Sequence, residues 1–592
     1  MREKLALFLA KYMHLEKGDV ENIIEIPPSH DLGDYAFPCF FLAKLQKKNP
    51  GEIAGDIVKK IQNKLPKEFE RAEANGPYVN FFLNNKLLAE NTIKQVLKEK
   101  DKYGSSNEGK GKTIVVEMSS PNIAKTFSVG HLRSTIIGNS LSKIFSFKGY
   151  KVVKINYLGD WGTQFGKLIA AYKRWGKETE LKKYPIDYLL KLYVEFHEKA
   201  KTNKSLEDEA RSWFKELEDG NKEALNLWKR FRELSIKEFK KTYGILDIDF
   251  DDYSGESFYE VSANKIIDKL RKKRLIKESE GALIVGLDSY GLGAALIRKK
   301  DGAKLYLTRD IAAAIDRYNK YKFNKMIYEV GKEQTLHFKQ LFKILEIAGY
   351  KWSKQCVHVA HGLYLDKNGK KLATREGKIF AMENLLKEAT LKAFNIIQEK
   401  NPGLRNKDKV AEIVGIGAII YGDLKNERTR DAVFELDRFI SFEGNTGPYL
   451  QYSYARASSI IRKSKKSPLR IGHRETQRTG PFHSPFHRAS ELDSTKALQL
   501  DRTIHDLNES EIKLAKKIAL FPSIVDDALK GFYPSLLANY AYELAQIFNE
   551  FYHLVPVIES VEESFRLALI NAFCHTIKNA LALLGIKTLE EM

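Results

Sequence analysis

The chain predicts an α/β protein with a parallel-sheet domain at its centre, a small α/β domain before it and an all-α bundle after it. Three observations carry that prediction. β-Branched runs alternate with helical spacing: Thr113-Ile114-Val115-Val116-Glu117 precedes the apolar repeat of Ile136 to Phe145, and Lys151-Val152-Val153-Lys154-Ile155-Asn156 follows it. Strand signals of any length stop after Asp423-Leu424-Lys425. Finally, 592 residues exceed one core, since single cores stop growing near about 250–300 residues.

Composition narrows the class. The chain is 43% hydrophobic and 30% charged, the balance of a globular protein, and its net charge of +21 favours a polyanionic partner such as RNA. Cys39, Cys356 and Cys574 lie far apart and form no CxxC pair, which argues against a zinc ribbon or a disulfide framework and fits a reducing cytoplasm. The apolar run Leu5 to Ala10 is too short for a signal peptide's core, and no run approaches the ~18 residues of a membrane helix. A cytoplasmic protein with no membrane association is expected.

Residues 1–105 read as the small α/β domain. Within it, Ala74-Asn75-Gly76-Pro77-Tyr78-Val79-Asn80 is a turn feeding a strand that alternates faces. Gly104 to Gly111 nearly spells a P-loop, but no Ser or Thr follows Lys110 and the segment precedes a strand, so it is a linker. Residues 106–430 form the central domain. After Glu117 come a polar loop, Ser119 to Ser128, and a helix beginning near Gly130. The free N–H groups and dipole of that helix start make an anion site, with Lys125 and His131 as phosphate donors and Gly130 allowing close approach.

Residues 168–275 are charged and helical in pattern, an insertion ending at Phe250 to Ser257. Leu305-Tyr306-Leu307-Thr308-Arg309-Asp310 is expected to resume the sheet, and Met326 to Phe338 is a strand running into Gly331 and a polar cluster. His361 to Lys378 reads as a strand, a turn and a mobile basic loop. Residues 431–592 are helical, opening with the aromatic and basic run Phe439 to Arg456, a composition suited to unstacked RNA bases. Residues 463–495 are basic, with Pro and with His473, His483 and His487 too widely spaced for a metal site, and are expected to be poorly ordered.

Pro121-Asn122-Ile123-Ala124-Lys125 followed by Phe127-Ser128-Val129-Gly130-His131-Leu132-Arg133-Ser134-Thr135 resembles the HIGH signature of class I aminoacyl-tRNA synthetases, in the form found in arginyl-tRNA synthetases. Ser128 stands where the first His of HIGH would be, and Thr126 where a Pro is often found. The resemblance implies a Rossmann-like catalytic domain that uses ATP and Mg²⁺ to activate L-arginine and transfer it to tRNA(Arg), acting as a monomer and needing tRNA before activation. By this resemblance His131, Lys125, Ser128 and Lys371 are catalytic, and Gly130, His131, Lys125 and Thr374 bind ATP. Lys371 and Thr374 lie in the counterpart of the KMSKS loop, whose second lysine Thr374 replaces, and Lys125 is expected to supply the missing charge. Ser120, Pro121, Asn122, Glu256, Tyr306, Asp310 and Gln334 form the implied arginine pocket, with Glu117 supporting it. Two in-plane carboxylates, Asp310 and Glu256, suit a guanidinium fork that cannot lose its proton.

The same likeness makes residues 1–105 a tRNA D-loop-binding domain using Asn75, Tyr78 and Asn80. Residues 431–592 become an anticodon-binding bundle using Tyr449, Gln451 and Arg456. The competing expectation is a non-catalytic tRNA-binding relative, for which Ser128 and Thr374 speak.

Overall fold

The computed structural model describes residues 1–300, 306–372, 374–375, 378–379, 381–466 and 506–592. Most of the 463–495 segment therefore lies outside the described residues. The chain forms two compact units, one of Met1–Tyr103, Ile460–Phe521 and Gln546–Thr576, the other of Gly104–Ser459, Pro522–Ala545 and Ile577–Met592.

In the first unit, β1 (Tyr35–Pro38), β2 (Phe69–Asn75) and β3 (Tyr78–Leu83) form an antiparallel sheet in the order β1-β3-β2. Gly76, at φ 54°, makes the tight turn that brings Asn75 opposite Tyr78. Phe37, Phe69, Val79 and Phe81 bury one side against Leu5, Leu9 and Ile53. Among this unit's later helices, the buried Glu511 accepts from Arg566 Nε at 2.8 Å.

The second unit holds the catalytic sheet. β4 (Thr113–Glu117) and β5 (Lys151–Ile155) pair in parallel; β6 (Ile276–Ser279), β7 (Ala282–Gly286) and β8 (Ala294–Arg298) make a separate antiparallel sheet. β9 (Lys325–Gly331) and β10 (Cys356–His361) complete the parallel one, in the order β10-β9-β4-β5. Ile114, Val115 and Val116 are all buried, as the β-branched run requires of a central strand covered on both faces. The chain leaves β4 toward β5 on one side and returns to β9 on the other. The crevice beyond the carboxyl ends of β4 and β9 is thus a switch point, where open α/β sheets bind ligands.

Two expectations are corrected here. The segment from Tyr306 is not a strand of the sheet but opens the helix Tyr306–Tyr321. Leu307, Ile311 and Ala314 recur at helical spacing and are buried, a repeat that lies mostly beyond Asp310, where the strand reading stopped. Among the described residues one helix, Glu563–Leu584, is long and apolar enough to cross a membrane, with a mean hydropathy of 1.4; since 67% of that window is buried, it has the character of a core helix.

The helix Leu132–Phe147 that follows β4 is buried along almost its whole length, charges included. Arg133 Nε lies 2.9 Å from Asp423 Oδ1, both about 1% exposed, and Arg133 Nη1 donates to Arg430 O at 2.9 Å. Removing one partner leaves the other charge buried alone. Arg133→Met is therefore expected to lower unfolding free energy by about 3–5 kcal/mol in urea titration, with Arg133→Met/Asp423→Leu recovering most of the loss.

Candidate active site

The loop after β4 is held in an unusual backbone path. Ser119, Ser120 and Ala124 all have positive φ, at 72°, 49° and 57°, a cost that only dense surroundings sustain. Those surroundings are specific. Ser119 N donates to Ser134 Oγ at 2.8 Å, Thr135 Oγ1 to Ser119 Oγ at 2.9 Å, and Ser119 Oγ meets Tyr243 OH at 2.7 Å. Asn156 Nδ2 also donates to Tyr243 OH at 2.9 Å, and Ala124 N donates to Ser235 Oγ at 3.0 Å. The insertion's helix Lys222–Ile245, which carries Ser235 and Tyr243, is thus a clamp on this loop.

Asn122 is exposed at the loop's apex, joined to Gly159 by Ile123 N to Gly159 O at 3.2 Å and Gly159 N to Pro121 O at 3.1 Å. Pro121 is buried, and Ser120 Oγ is buried with no hydrogen bond among the described residues.

Ser128 caps the short turn Val129–His131 that starts the helix. Its backbone N–H donates to His131 Nδ1 at 3.3 Å, and its Oγ lies 3.2 Å from the same nitrogen. The same nitrogen lies 3.2 Å from Ser128 O, so Ser128 engages Nδ1 in either tautomer. Burial beside Phe127, whose ring lies 5.4 Å away, pushes the His131 imidazolium below its ordinary range, so the ring is neutral at physiological pH. Ser128, expected to be catalytic, is thus in direct contact with His131. Lys125 and Gly130 are exposed at the same loop.

The start of the helix Met382–Lys400, which follows the basic loop, packs on this one. Phe127 O accepts from Met382 N at 2.8 Å, and Ser128 bridges to Ala381. Lys371 is exposed, with Nζ 3.4 Å from Glu333 Oε1; the Thr374 side chain lies outside the described residues.

A second group of side chains sits at the ends of β4 and β5. Glu256 N donates to Leu158 O at 3.1 Å, which carries the parallel pairing of β5 one step further. The turn that bears Glu256 is pinned by the buried Asp160, which accepts from Ser257 N at 2.8 Å, Ser257 Oγ at 2.9 Å and Arg232 Nε at 2.8 Å. Gly255 is required there, since a Cβ would lie 2.3 Å from Asp160 Oδ2.

Glu256 itself is buried, and that burial pushes its carboxyl up to about 8; the guanidinium of Arg309, 3.7 Å away, pulls the other way and loses. Asp310 and Asp160 add to the upward push. Asp310 is half-buried, with Oδ2 2.7 Å from His337 Nε2. Below them the fully buried Glu117 is paired with Arg317, beside Tyr157 and Tyr328. Tyr306 is exposed, its ring over the Arg309 guanidinium at 5.3 Å, and Gln334 is exposed at the N-cap of the helix Thr335–Ile347.

Asp160, Arg309, Arg317 and His337 escaped the sequence reading. His337 alone left a usable signal, one helical turn after Gln334.

The RNA candidates divide. Asn75 is exposed and Tyr78 half-buried, with the Phe40 ring edge-on 5.7 Å away, while Asn80 is buried within the sheet. Tyr449 is half-buried against Tyr542, and Arg456 lies over Tyr452 at 4.8 Å. Gln451 is corrected: it is fully buried and donates to Lys587 O at 2.8 Å and Ile413 O at 3.3 Å, so it packs helices and does not face RNA.

A parallel sheet with a helix N-terminus and sheltered carboxyls at its carboxyl edge fits the catalytic domain of class I aminoacyl-tRNA synthetases, and comparison with known proteins shows that class. The family model for the class I (R) tRNA synthetase catalytic domain matches residues 92–436. The arginyl tRNA synthetase N-terminal domain matches 1–83 and the DALR anticodon binding domain 450–592. Arginine–tRNA ligases of Clostridium perfringens and Clostridium beijerinckii are each 46% identical, over 99% and 100% of this chain and 98% and 100% of theirs. The arginyl-tRNA synthetase structures of Thermus thermophilus and Plasmodium falciparum superpose with TM-scores of 0.76 and 0.75 at 24% and 27% identity, covering 96% of this chain and 96% and 94% of theirs. The chain belongs to the arginyl-tRNA synthetase family.

The Asn122–Gly159 contact makes a sharp test of the loop. A Cβ at Gly159 would lie 2.1 Å from Asn122 Oδ1, so Gly159→Ala must move Asn122. It is expected to lower kcat/KM for arginylation by about 10- to 100-fold, the scale of a 1 Å misplacement. Thermal unfolding is followed alongside; a loss confined to stability would assign Gly159 to packing alone.

Proposed function

We propose that this chain ligates L-arginine to tRNA(Arg) at the expense of ATP, with the guanidinium held by Glu256 and Asp310. The observation that carries this reading is the pair of carboxyls at the sheet's switch point, on the same crevice as the anion-binding helix start. Its full-length likeness to arginine–tRNA ligases favours the enzyme over a non-catalytic relative. In the first step a carboxylate oxygen of arginine attacks the α-phosphate of ATP and pyrophosphate leaves. In the second, a hydroxyl of the tRNA's terminal adenosine takes the arginyl group and AMP leaves.

Asn122 and Gln334 hold the α-amino and carboxylate end, with Ser120 and Pro121 shaping the floor and the Tyr306 hydroxyl beside the guanidinium. Neutral His131 donates from Nε2 to phosphate, while Lys125 and Lys371 supply positive charge, with Gly130 and Thr374 beside them. Mg²⁺ is proposed to arrive with ATP, as Mg²⁺ does when substrate phosphates supply its ligands.

Lysine is rejected because an ammonium cannot bridge two carboxylates in the plane of a fork. On tRNA, Asn75 and Tyr78 are proposed for the D-loop, with the buried Asn80 left to the sheet, and Tyr449 and Arg456 for the anticodon end. A cytoplasmic monomer, with boundaries at 105 and 430 between its three domains, completes the proposal.

The deciding experiment is charging of tRNA(Arg) with labelled arginine and ATP, with His131→Ala beside it. Charging that collapses in the variant supports the reading; tRNA binding without charging would mean a scaffold that has lost its chemistry. Lys125→Ala is expected to slow adenylate formation by about 100-fold, and an unchanged rate would remove Lys125 from the phosphate site.

Glu256 adds a proton signature. With its carboxyl raised to about 8, it is protonated in the empty pocket at neutral pH. An arriving guanidinium favours the ionised form, so binding at pH 7 releases a proton, and the release fades above about 8, where the group is already ionised. Calorimetry in buffers of different ionisation enthalpy reads this directly, and Glu256→Gln is expected to remove the share of it that comes from Glu256.

A further inference from the structure

Asp310 Oδ2 is already engaged. His337 Nε2 lies 2.7 Å from it, reaching across from the helix Thr335–Ile347 to the helix Tyr306–Tyr321. Both side chains are about a fifth exposed, 23% for His337 and 18% for Asp310, so the contact is sheltered yet reachable from the crevice. The charged groups around it are Glu117 and Arg317 beneath, Glu256 and Arg309 alongside, and Lys332 and Glu333 on the turn before His337. Tyr157 and Tyr328 are the neighbouring phenols, both held neutral by burial. His337 sits in the first turn of its helix and packs edge-on against Phe338 at 5.3 Å.

We propose that His337 is the positioning residue of the guanidinium pocket: its neutral form donates from Nε2 to Asp310 Oδ2 and turns the other carboxylate oxygen toward arginine, while its protonated form competes with arginine for Asp310. The inference rests on the reading of Asp310 as a guanidinium acceptor. Its logic is charge balance. A neutral donor leaves the carboxylate its full negative charge and one free oxygen. An imidazolium in the same place makes an ion pair, and a second cation then meets a carboxylate that is already neutralised. The pocket would thereby bind arginine less well in acid, through two groups of different kind: Glu256 by losing its charge, His337 by gaining one.

The test separates them. Steady-state arginylation by the full chain is followed from about pH 8.5 down to about pH 6, the range in which histidines change charge. Wild type is expected to show a rising KM for arginine as pH falls, with the KM for ATP steady. His337→Gln keeps an N–H donor that cannot be protonated. Its arginine KM at about pH 8.5 is expected within about threefold of wild type, and at about pH 6 about tenfold below it. The rise that remains is Glu256's share. His337→Ala, lacking the donor, is expected to raise the arginine KM about tenfold at the upper pH, the scale of one charge-assisted hydrogen bond.

A His337→Gln profile parallel to that of wild type, or losses shared equally by the KM for ATP and kcat, would overturn the proposal. Asp310→Asn tells the two readings apart. If it leaves the arginine KM unchanged, Asp310 is not the guanidinium acceptor; if it raises that KM while His337→Gln behaves as wild type, only the role of His337 fails.

Discussion

Carboxylates carried out of water beside the end of a parallel sheet set the terms for this active site. An isolated ion there is costly, and each acid answers the cost differently. Glu117 is fully buried and takes Arg317 as its counter-ion. Asp160 is equally buried but is saturated by Arg232 and both donors of Ser257, so it serves as a structural anchor. Glu256 has only a distant guanidinium and stays protonated instead. Asp310 is less buried and leans on His337. The two acids whose needs are least met within the chain are the two assigned to the substrate, and a planar cation with five donors supplies what they lack.

The phosphate side follows the opposite rule, since it must present positive potential without burying fixed charge. His131 is sheltered and neutral, its Nδ1 held by the backbone and hydroxyl of Ser128. The lysines assigned to phosphate, Lys125 and Lys371, lie exposed on loops where water solvates them until a polyanion arrives. Ser128 then ceases to look like a defect in the motif. A histidine at that position would bring a second imidazole, whereas the serine hydroxyl and N–H brace the one that remains.

What could be read from the chain was what local pattern encodes. The β-branched run of β4, the loop after it and the helix from Leu132 each follow from periodicity, and the assigned pocket acids followed from motif likeness. The rest depended on contacts made across the fold. Gln451 looked like an RNA contact because its neighbours are aromatic and basic, but the carbonyls of Ile413 and Lys587 that claim it come from remote parts of the chain. Tyr306 was misread as strand because the six residues from Leu305 to Asp310 are too few to tell period 2 from period 3.6. Arg309 and Asp310 are adjacent in sequence yet turn to different partners, Glu256 and Glu260 for one and His337 for the other.

The loop from Ser119 to Ala124 shows why the helical insertion matters to chemistry it does not itself perform. Three non-glycine residues at positive φ would relax if left alone, and the hydroxyls of Ser235 and Tyr243 help to prevent it. Both belong to the helix Lys222–Ile245, whose Trp228 also donates to Asp160 O at 2.7 Å and whose Arg232 pairs with the Asp160 carboxylate. One helix therefore fixes the loop that carries Asn122 and, through Asp160, the turn that carries Glu256. The assigned amino-acid end and guanidinium end of the substrate are held to a common ruler, and the spacing between them is what a side chain of arginine's length has to match.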